Sequence, residues 1–375
     1  MATTIERPVA EPDPQPDQGH QGDRPFRPSP LGWLARAALA LVLAWLVLVF
    51  PLSQEGFEVQ RFTTAVIYGI IGLSLNVLLG YVGQISLGHQ AFVVIGAFTS
   101  AYMVSVQNQP FWVAVAAAAA VGGLQALVLG GASLRITGLY FALVTLSYGL
   151  VAEQNIFQVE ELTGGGQGQA APKPAGFETD WRYYYLCVAF LALVLWVDWR
   201  LMRSKGGRAL LALQENPRVA ATFGVNVRLL TLFAFVVSGV FAGLGGALLA
   251  HNDTFVSPEV WSFNLALVFV IMTVVGGLRN RAGVVIGSAF FALLPYLIDQ
   301  VGFIEDAVAA IPAPRELTAE LAPLVLGPLL LILTLVRAPG GIGQQIRPIQ
   351  RWLGGHRFDL HDHGPKEVKV ADVRA

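Results

Sequence analysis

A helix that crosses a bilayer needs about 20 consecutive, mostly apolar residues, because the hydrocarbon core is about 30 Å thick and each helical residue advances about 1.5 Å. Windows of that kind recur ten times along the 375 residues of this chain. They run roughly from Trp33 to Leu52, Phe62 to Gly80, Ile85 to Val104, Phe111 to Leu134, Gly138 to Phe157, Tyr183 to Leu201, Leu229 to Ala250, Ser262 to Leu278, Gly283 to Gly302 and Leu321 to Val336. In hydrocarbon the backbone must satisfy its own hydrogen bonds, so blocks of this length fold as helices. The expected fold class is all-α, a polytopic transmembrane bundle of about ten helices. Only 13% of the residues are charged and 54% are hydrophobic, whereas a soluble domain carries about 25% charged residues. The net charge of −1 supplies no field that would draw nucleic acid, so no such partner is expected. Cys187 is the single cysteine, which excludes an intrachain disulfide and a thiolate metal cluster; no metal or cofactor is expected.

The chain divides into three parts. Residues 1–30 are rich in proline and charge and read as a disordered cytoplasmic tail. The first apolar run begins only after these thirty polar residues, unlike a cleavable signal peptide, so the first helix is expected to stay as an anchor. Residues 31–337 are expected to form the membrane-spanning domain, and 338–375 a polar cytoplasmic tail. Positive charges near helix ends are retained in the cytoplasm. With ten spans and both termini inside, the outer connections contain only Arg61, Lys173, Arg182 and Arg315, while the other twenty of the 24 basic residues fall inside. That distribution places a multi-pass protein in the cell membrane with both ends cytoplasmic.

Buried ionisable groups at mid-membrane mark ion or proton coupling. Here Glu153, Asp198, Asp299 and Arg36 sit near expected helix ends, which leaves His89 as the titratable side chain well inside a span. A proton-coupled secondary carrier is therefore the weaker alternative, and His89 alone is a poor catalytic set for a membrane enzyme. The chain has no GxxxxGK[ST] phosphate loop. It is therefore not expected to hydrolyse ATP itself, and if it pumps, the energy must come from another subunit.

Residues 202–228, MRSKGGRALLALQENPRVAATFGVNVR, form an inside loop that is long for a compact bundle. Gly206 and Gly207 are expected to break the preceding helix, Arg208 to Gln214 to form a helix, Pro217 to start a second one and Gly224 to close it with a left-handed cap. Such a hairpin suits either a partner groove or an anionic lipid surface. Its candidate contacts are Leu210, Leu211, Glu215, Asn216, Ala220 and Gly224.

The second informative segment is GYVGQISLGH, residues 80–89. Glycines at 80, 83 and 88 make an uninterrupted helix costly, so the fold is expected to contain a discontinuous helix near residues 80–88. Broken helices expose backbone groups to a ligand. Asn76, Gly83, Gln84, Ser86 and His89 are the candidate substrate pathway, because polar groups facing lipid are expensive and this face should turn inward. Thr145 shares a face with Phe141 and Tyr148 and joins the candidates. The competing role for all of these polar groups is hydrogen bonding between helices. Gly239 and Gly243, and Ala242 and Gly246, are small-xxx-small pairs expected to pack helices closely.

Five blocks, LSLNVLLGYVGQISLGHQAFVVIGAF, TGLYFALVTLSYG, LTGGGQG, GRALLALQENPRVAATFGVNV and VVGGLRNRAGVVIG, resemble in order the LivM-type permeases, the membrane subunits of ABC importers for branched-chain amino acids. The likeness covers about residues 60–300, and GQISLGH and ENPRVAATFG are specific to the family. It implies a small-molecule substrate, a LivH-type permease subunit as partner, two cytoplasmic ATP-binding subunits and an external solute-binding protein, all arranged around membrane lipid. It also implies that the 202–228 loop couples to an ATP-binding subunit. The broader importer pattern, EAA then three residues and glycine, would place Arg218, Val219 and Ala220 before Gly224, so its acidic residue is missing there and Glu215 stands three residues earlier. Permeases for urea and short amides are similar, and they remain the alternative substrate class.

Overall fold

The computed structural model describes residues 56–134, 138–155, 167–258, 263–300 and 340–353, together with isolated positions outside and few omissions within these ranges. Residues 43–347 make one compact unit. Residues 1–42 and 348–375 form a second unit, of which the C-terminal part of one helix is described. The expected spans at Trp33 to Leu52 and Leu321 to Val336, and most of both tails, lie outside the described residues.

Eleven helices are described: α1 (Gly56–Tyr81), α2 (His89–Ser105), α3 (Phe111–Ser133), α4 (Leu139–Gln154), α5 (Asp180–Arg203), α6 (Lys205–Glu215), α7 (Pro217–Thr222), α8 (Val227–Asp253), α9 (Phe263–Gly276), α10 (Arg281–Gln300) and α11 (Gly341–Leu353). Two-residue strands, β1 (Gln169–Ala170) and β2 (Phe255–Val256), pair antiparallel with Gln169 opposite Val256. The architecture is all-α, as expected. Four helices are long and apolar enough to cross a membrane, Glu58–Tyr81, Phe111–Ala132, Asp180–Arg203 and Val227–Asp253, and Asn264–Gly276 and Arg281–Tyr296 are shorter apolar helices. Eight of the ten apolar windows coincide with described helices, but their edges move. The second begins at Gly56 instead of Phe62, and residues 85–88 are not helical.

Helix ends follow local chemistry. Asp180 opens α5 and Arg200 and Arg203 close it, matching the helix dipole at both ends. Asn226 caps α8, accepting from the Leu229 N–H at 3.1 Å, and Thr254 ends it in the left-handed region at φ +61°. The expected polar tail after Arg337 contains α11, whose first turn docks on the 277–280 turn: the Asn280 side-chain amide donates to the Gly343 carbonyl at 2.8 Å.

Helix α8 is the centre of the bundle, packed on α3, α2 and α1, while α1 also contacts α5, α9 and α10. The small-residue pairs read from the sequence lie at these crossings. A Cβ on Gly243 would strike the Ala118 carbonyl, one on Gly239 the Gly122 carbonyl, and one on Gly246 the Val93 carbonyl. Such approaches let dispersion act between backbones where lipid supplies no hydrophobic drive. Polar bonds fix the register: Ser238 donates to the Ser74 carbonyl at 2.7 Å, and Gln60 to the Asn252 carbonyl at 3.1 Å. Helices α1 and α8 are therefore antiparallel.

Candidate functional site

The break falls between Tyr81 and His89. Gly83 adopts φ +73°, a region that costs an L side chain energy, and the Gln84 N–H turns back to the Leu78 carbonyl at 3.1 Å. The chain then runs without helical bonds to Gly88. Leu87 N–H donates to Thr145 Oγ1 at 3.0 Å, and a Cβ on Gly88 would collide with the Thr145 carbonyl, so the segment lies directly on α4. His89 Nε2 meets Ser74 Oγ at 2.7 Å. Ser74 stands seven residues before the end of α1, so α2 starts about 10 Å back along α1 from where α1 stops. The connection is re-entrant: it folds back into the bundle before the next helix begins.

This geometry distributes the sequence candidates. Asn76, Ser86, His89 and Thr145 are buried, Gln84 is half-buried, and Gly83 is exposed. Thr145 is fully engaged locally, since its Oγ1 accepts from Leu87 and donates to the Ala142 carbonyl at 2.9 Å. Ser74 Oγ donates to the Ile71 carbonyl at 2.6 Å, so it accepts from His89, whose Nε2 carries the proton and whose Nδ1 keeps a lone pair. Asn76 Oδ1 accepts the Arg279 N–H at 2.9 Å. Asn76 and His89 thus act as interhelical ties with one polar atom each, and their other polar atoms have no protein partner.

Eleven buried side-chain polar atoms lack a protein partner among the described residues, and six of them belong to Asn76, Gln84, Ser86, His89 and Gln90. An unsatisfied buried polar atom costs about 1–3 kcal/mol, so six in one fifteen-residue stretch is a concentration that packing alone does not explain. Gln90 contributes both amide atoms and is fully buried beside Gly149. A helix restarting before residue 86 would put Gln90 on one face with Ser86 and His89, but the helix starts at His89 and Ser86 lies in the non-helical segment.

The 202–228 loop is the helical hairpin the sequence implies, with one difference. The break precedes the glycines: Ser204 caps α6 by accepting from the Gly207 N–H at 3.2 Å, and Gly207 lies inside the first turn, where a Cβ would strike the Met202 backbone. Gly207 permits a close turn between α5 and α6 instead of stopping a helix. Asn216 caps α7, accepting from Arg218 and Val219 N–H groups at 3.1 and 3.2 Å, with Pro217 in the first position, and Gly224 has φ +79°. Leu210 and Ala220 are buried and anchor the hairpin to the bundle, so they do not form its outer surface. Leu211 is half-buried, Glu215, Asn216 and Gly224 face out, and the exposed apolar side chains are Val219 and Phe223, the latter 82% exposed.

Two polar groups were missed. Asp198, expected near a helix end, is fully buried, with its Oδ2 accepting from Tyr81 Oη at 3.0 Å and paired with Arg281. His251, one residue past the expected span edge, is buried between Ser100 Oγ at 2.9 Å and the Pro172 carbonyl at 2.7 Å. It clamps the segment around Pro172 onto the end of α8. Arg281 and Pro172 approach from distant sequence, and no local pattern marks those pairings.

Long apolar helices packed through small residues, with a re-entrant break lined by polar groups, define a multi-pass membrane protein. Residues 59–334 match the family described as branched-chain amino acid transport system / permease component, and the chain belongs to that family. It is 31% identical over 280 residues to the high-affinity branched-chain amino acid transport system permease protein LivM of Escherichia coli (strain K12), covering 67% of this chain and 65% of that one. It is 30% identical over 285 residues to the LivM protein of Salmonella typhimurium, covering 68% of this chain and 66% of that one. The chain therefore spans just under two thirds of the length of these relatives. A guanosine ABC transporter permease of Bacillus subtilis, NupQ, is 24% identical over 197 residues, covering 45% of this chain and 59% of that one. No solved structure matches the chain.

Proposed function

We propose that this chain is one membrane subunit of an ATP-driven importer for branched-chain amino acids, working with a LivH-type permease subunit, two cytoplasmic ATP-binding subunits and an external solute-binding protein. Family membership supports the transport class. The observation that carries the site is the set of buried polar atoms without protein partners at Asn76, Gln84, Ser86, His89 and Gln90, gathered at the re-entrant break. These groups are uncharged at neutral pH, so they offer a zwitterion several weak hydrogen bonds and no charge to trap it. A carrier that must release its cargo needs that balance.

The bundle has ten spans with both termini in the cytoplasm, a reading supported by the positions of Lys and Arg. A reporter fused after Val336 and found outside would reject it. The hairpin docks on an ATP-binding subunit through Phe223, Val219, Glu215, Asn216 and Gly224, with Leu211 at its edge and Leu210 and Ala220 holding it in place. Hydrolysis belongs to the ATP-binding subunits.

The test is uptake by the complete complex in proteoliposomes, with labelled leucine, urea and guanosine offered separately, each with its own loaded binding protein. Leucine uptake that needs ATP and survives a protonophore is the expected result. Uptake of urea or guanosine but not leucine would reject the substrate assignment, and uptake by this chain alone that collapses with the proton gradient would reject the importer reading.

A further inference from the structure

Two arginines at the turn between α9 and α10 hold the end of α1 in different ways. Arg281 is anchored to Asp198, a fully buried carboxylate that also receives the Tyr81 hydroxyl, so α1, α5 and α10 meet at a fixed polar joint. Arg279 is exposed. Its φ of +65° is one that side-chain-bearing residues rarely adopt, and its N–H is held by Asn76 Oδ1 at 2.9 Å. From there the guanidinium reaches outward. Nε donates to the Gly80 carbonyl at 3.3 Å and to Gln214 Oε1 at 2.7 Å, and Nη2 also donates to Gln214. Gln214 belongs to α6, and its Cγ lies 3.3 Å from where a Cβ on Gly83 would stand. The hairpin therefore touches the break at Gln214, and an arginine in a strained backbone state holds that side chain.

We infer that Arg279 and Gln214 form a releasable latch through which movement of the 205–222 hairpin is transmitted to the break at Gly83, with the Arg281–Asp198 joint as the pivot. The inference rests on the proposed docking of the hairpin. Exposure sets the division of labour: hydrogen bonds at a wet surface exchange readily with water, whereas a buried ion pair is expensive to break. A latch has to open within a transport cycle, and a pivot has to stay closed. Asn76 ties the latch to α1, because its Oδ1 accepts the Arg279 N–H while its Nδ2 has no protein partner.

The test uses the complete complex in proteoliposomes, with labelled leucine transported and ATP hydrolysed measured together. Arg279→Gly removes the guanidinium while relieving the positive φ, so the turn keeps its shape. Gln214→Ala removes the other half of the bond from a different helix. Both variants should assemble and hydrolyse ATP at the basal rate, yet lose about five- to tenfold in leucine moved per ATP, the size of a typical coupling free energy. Gln214→Glu, which keeps an acceptor for Arg279, should retain coupling. A normal ratio in either Arg279→Gly or Gln214→Ala overturns the latch, since each removes the same contact. Phe223→Asp serves as the control for docking: if it uncouples while the latch variants do not, the latch alone is rejected, and if it has no effect the docking reading itself falls.

Discussion

Replacing Arg281 by alanine should destabilise the bundle far more than replacing its partner. Asp198 is fully buried, and among the described residues its Oδ2 is engaged by Arg281 and the Tyr81 hydroxyl alone. Removing Arg281 leaves a buried carboxylate without its cation, a change that costs about 3 kcal/mol, the lower end of the buried-pair range, because the Arg281 side chain is 29% exposed and water enters on the vacated side. Asp198→Asn instead leaves an amide that still accepts from Tyr81, and an arginine that turns to water, for about 1 kcal/mol. The double variant carries no charge at the joint, so it should resemble Asp198→Asn, giving a coupling of about 3 kcal/mol between the two sites. Melting of the detergent-solubilised protein reads this directly: Arg281→Ala should fall about 5 °C or more, and adding Asp198→Asn should restore much of it. Equal melting of Arg281→Ala and the parent, or a double variant lower than Arg281→Ala, would refute the claim that an uncompensated buried charge sets the loss.

Other perturbations test the packing and the site. Gly246→Val places a side chain into the Val93 carbonyl and should cost about 1–3 kcal/mol and broaden the size-exclusion profile. Gly131→Ala, where a Cβ meets nothing within 4 Å, should melt as high as the parent or higher; identical behaviour of the two variants would remove the close-packing argument. His89→Gln should retain most leucine uptake and His89→Leu should lose it with little change in assembly, because Ser74 still donates to Ile71 when the imidazole is gone; full uptake in His89→Leu reduces His89 to a tie between helices. Asn216→Ala removes the cap of α7 and should weaken it by about 1 kcal/mol; faster amide exchange confined to residues 218–223 is the expected sign, and unchanged exchange there counts against the cap.

Local physics made much of this protein legible before its tertiary arrangement was known. The apolar blocks announced helices because a backbone in hydrocarbon has no other partner for its polar groups, and eight of the ten blocks coincide with described helices. Pro217 and Gly224 marked the second hairpin helix because a fixed φ and a left-handed cap act within a few residues. Gly83 marked the break for the same reason, whereas Gly88 is required by the approach of the Thr145 carbonyl. What the tertiary structure alone decided is which groups meet. Gly207 looks like a helix breaker in the sequence and proves to be a point of close approach to Met202, because the need for a missing Cβ came from a neighbouring helix. Leu210 and Ala220 look like docking residues but are buried, and Val219 and Phe223 take the outer surface, because hairpin orientation depends on how α6 packs against the bundle. Asp198 acquires its partner from residue 281 and Asn76 from residue 279, separations of 83 and 203 positions. Such pairings follow from the crossing of helices, and the residues between them carry no periodic signal that encodes it.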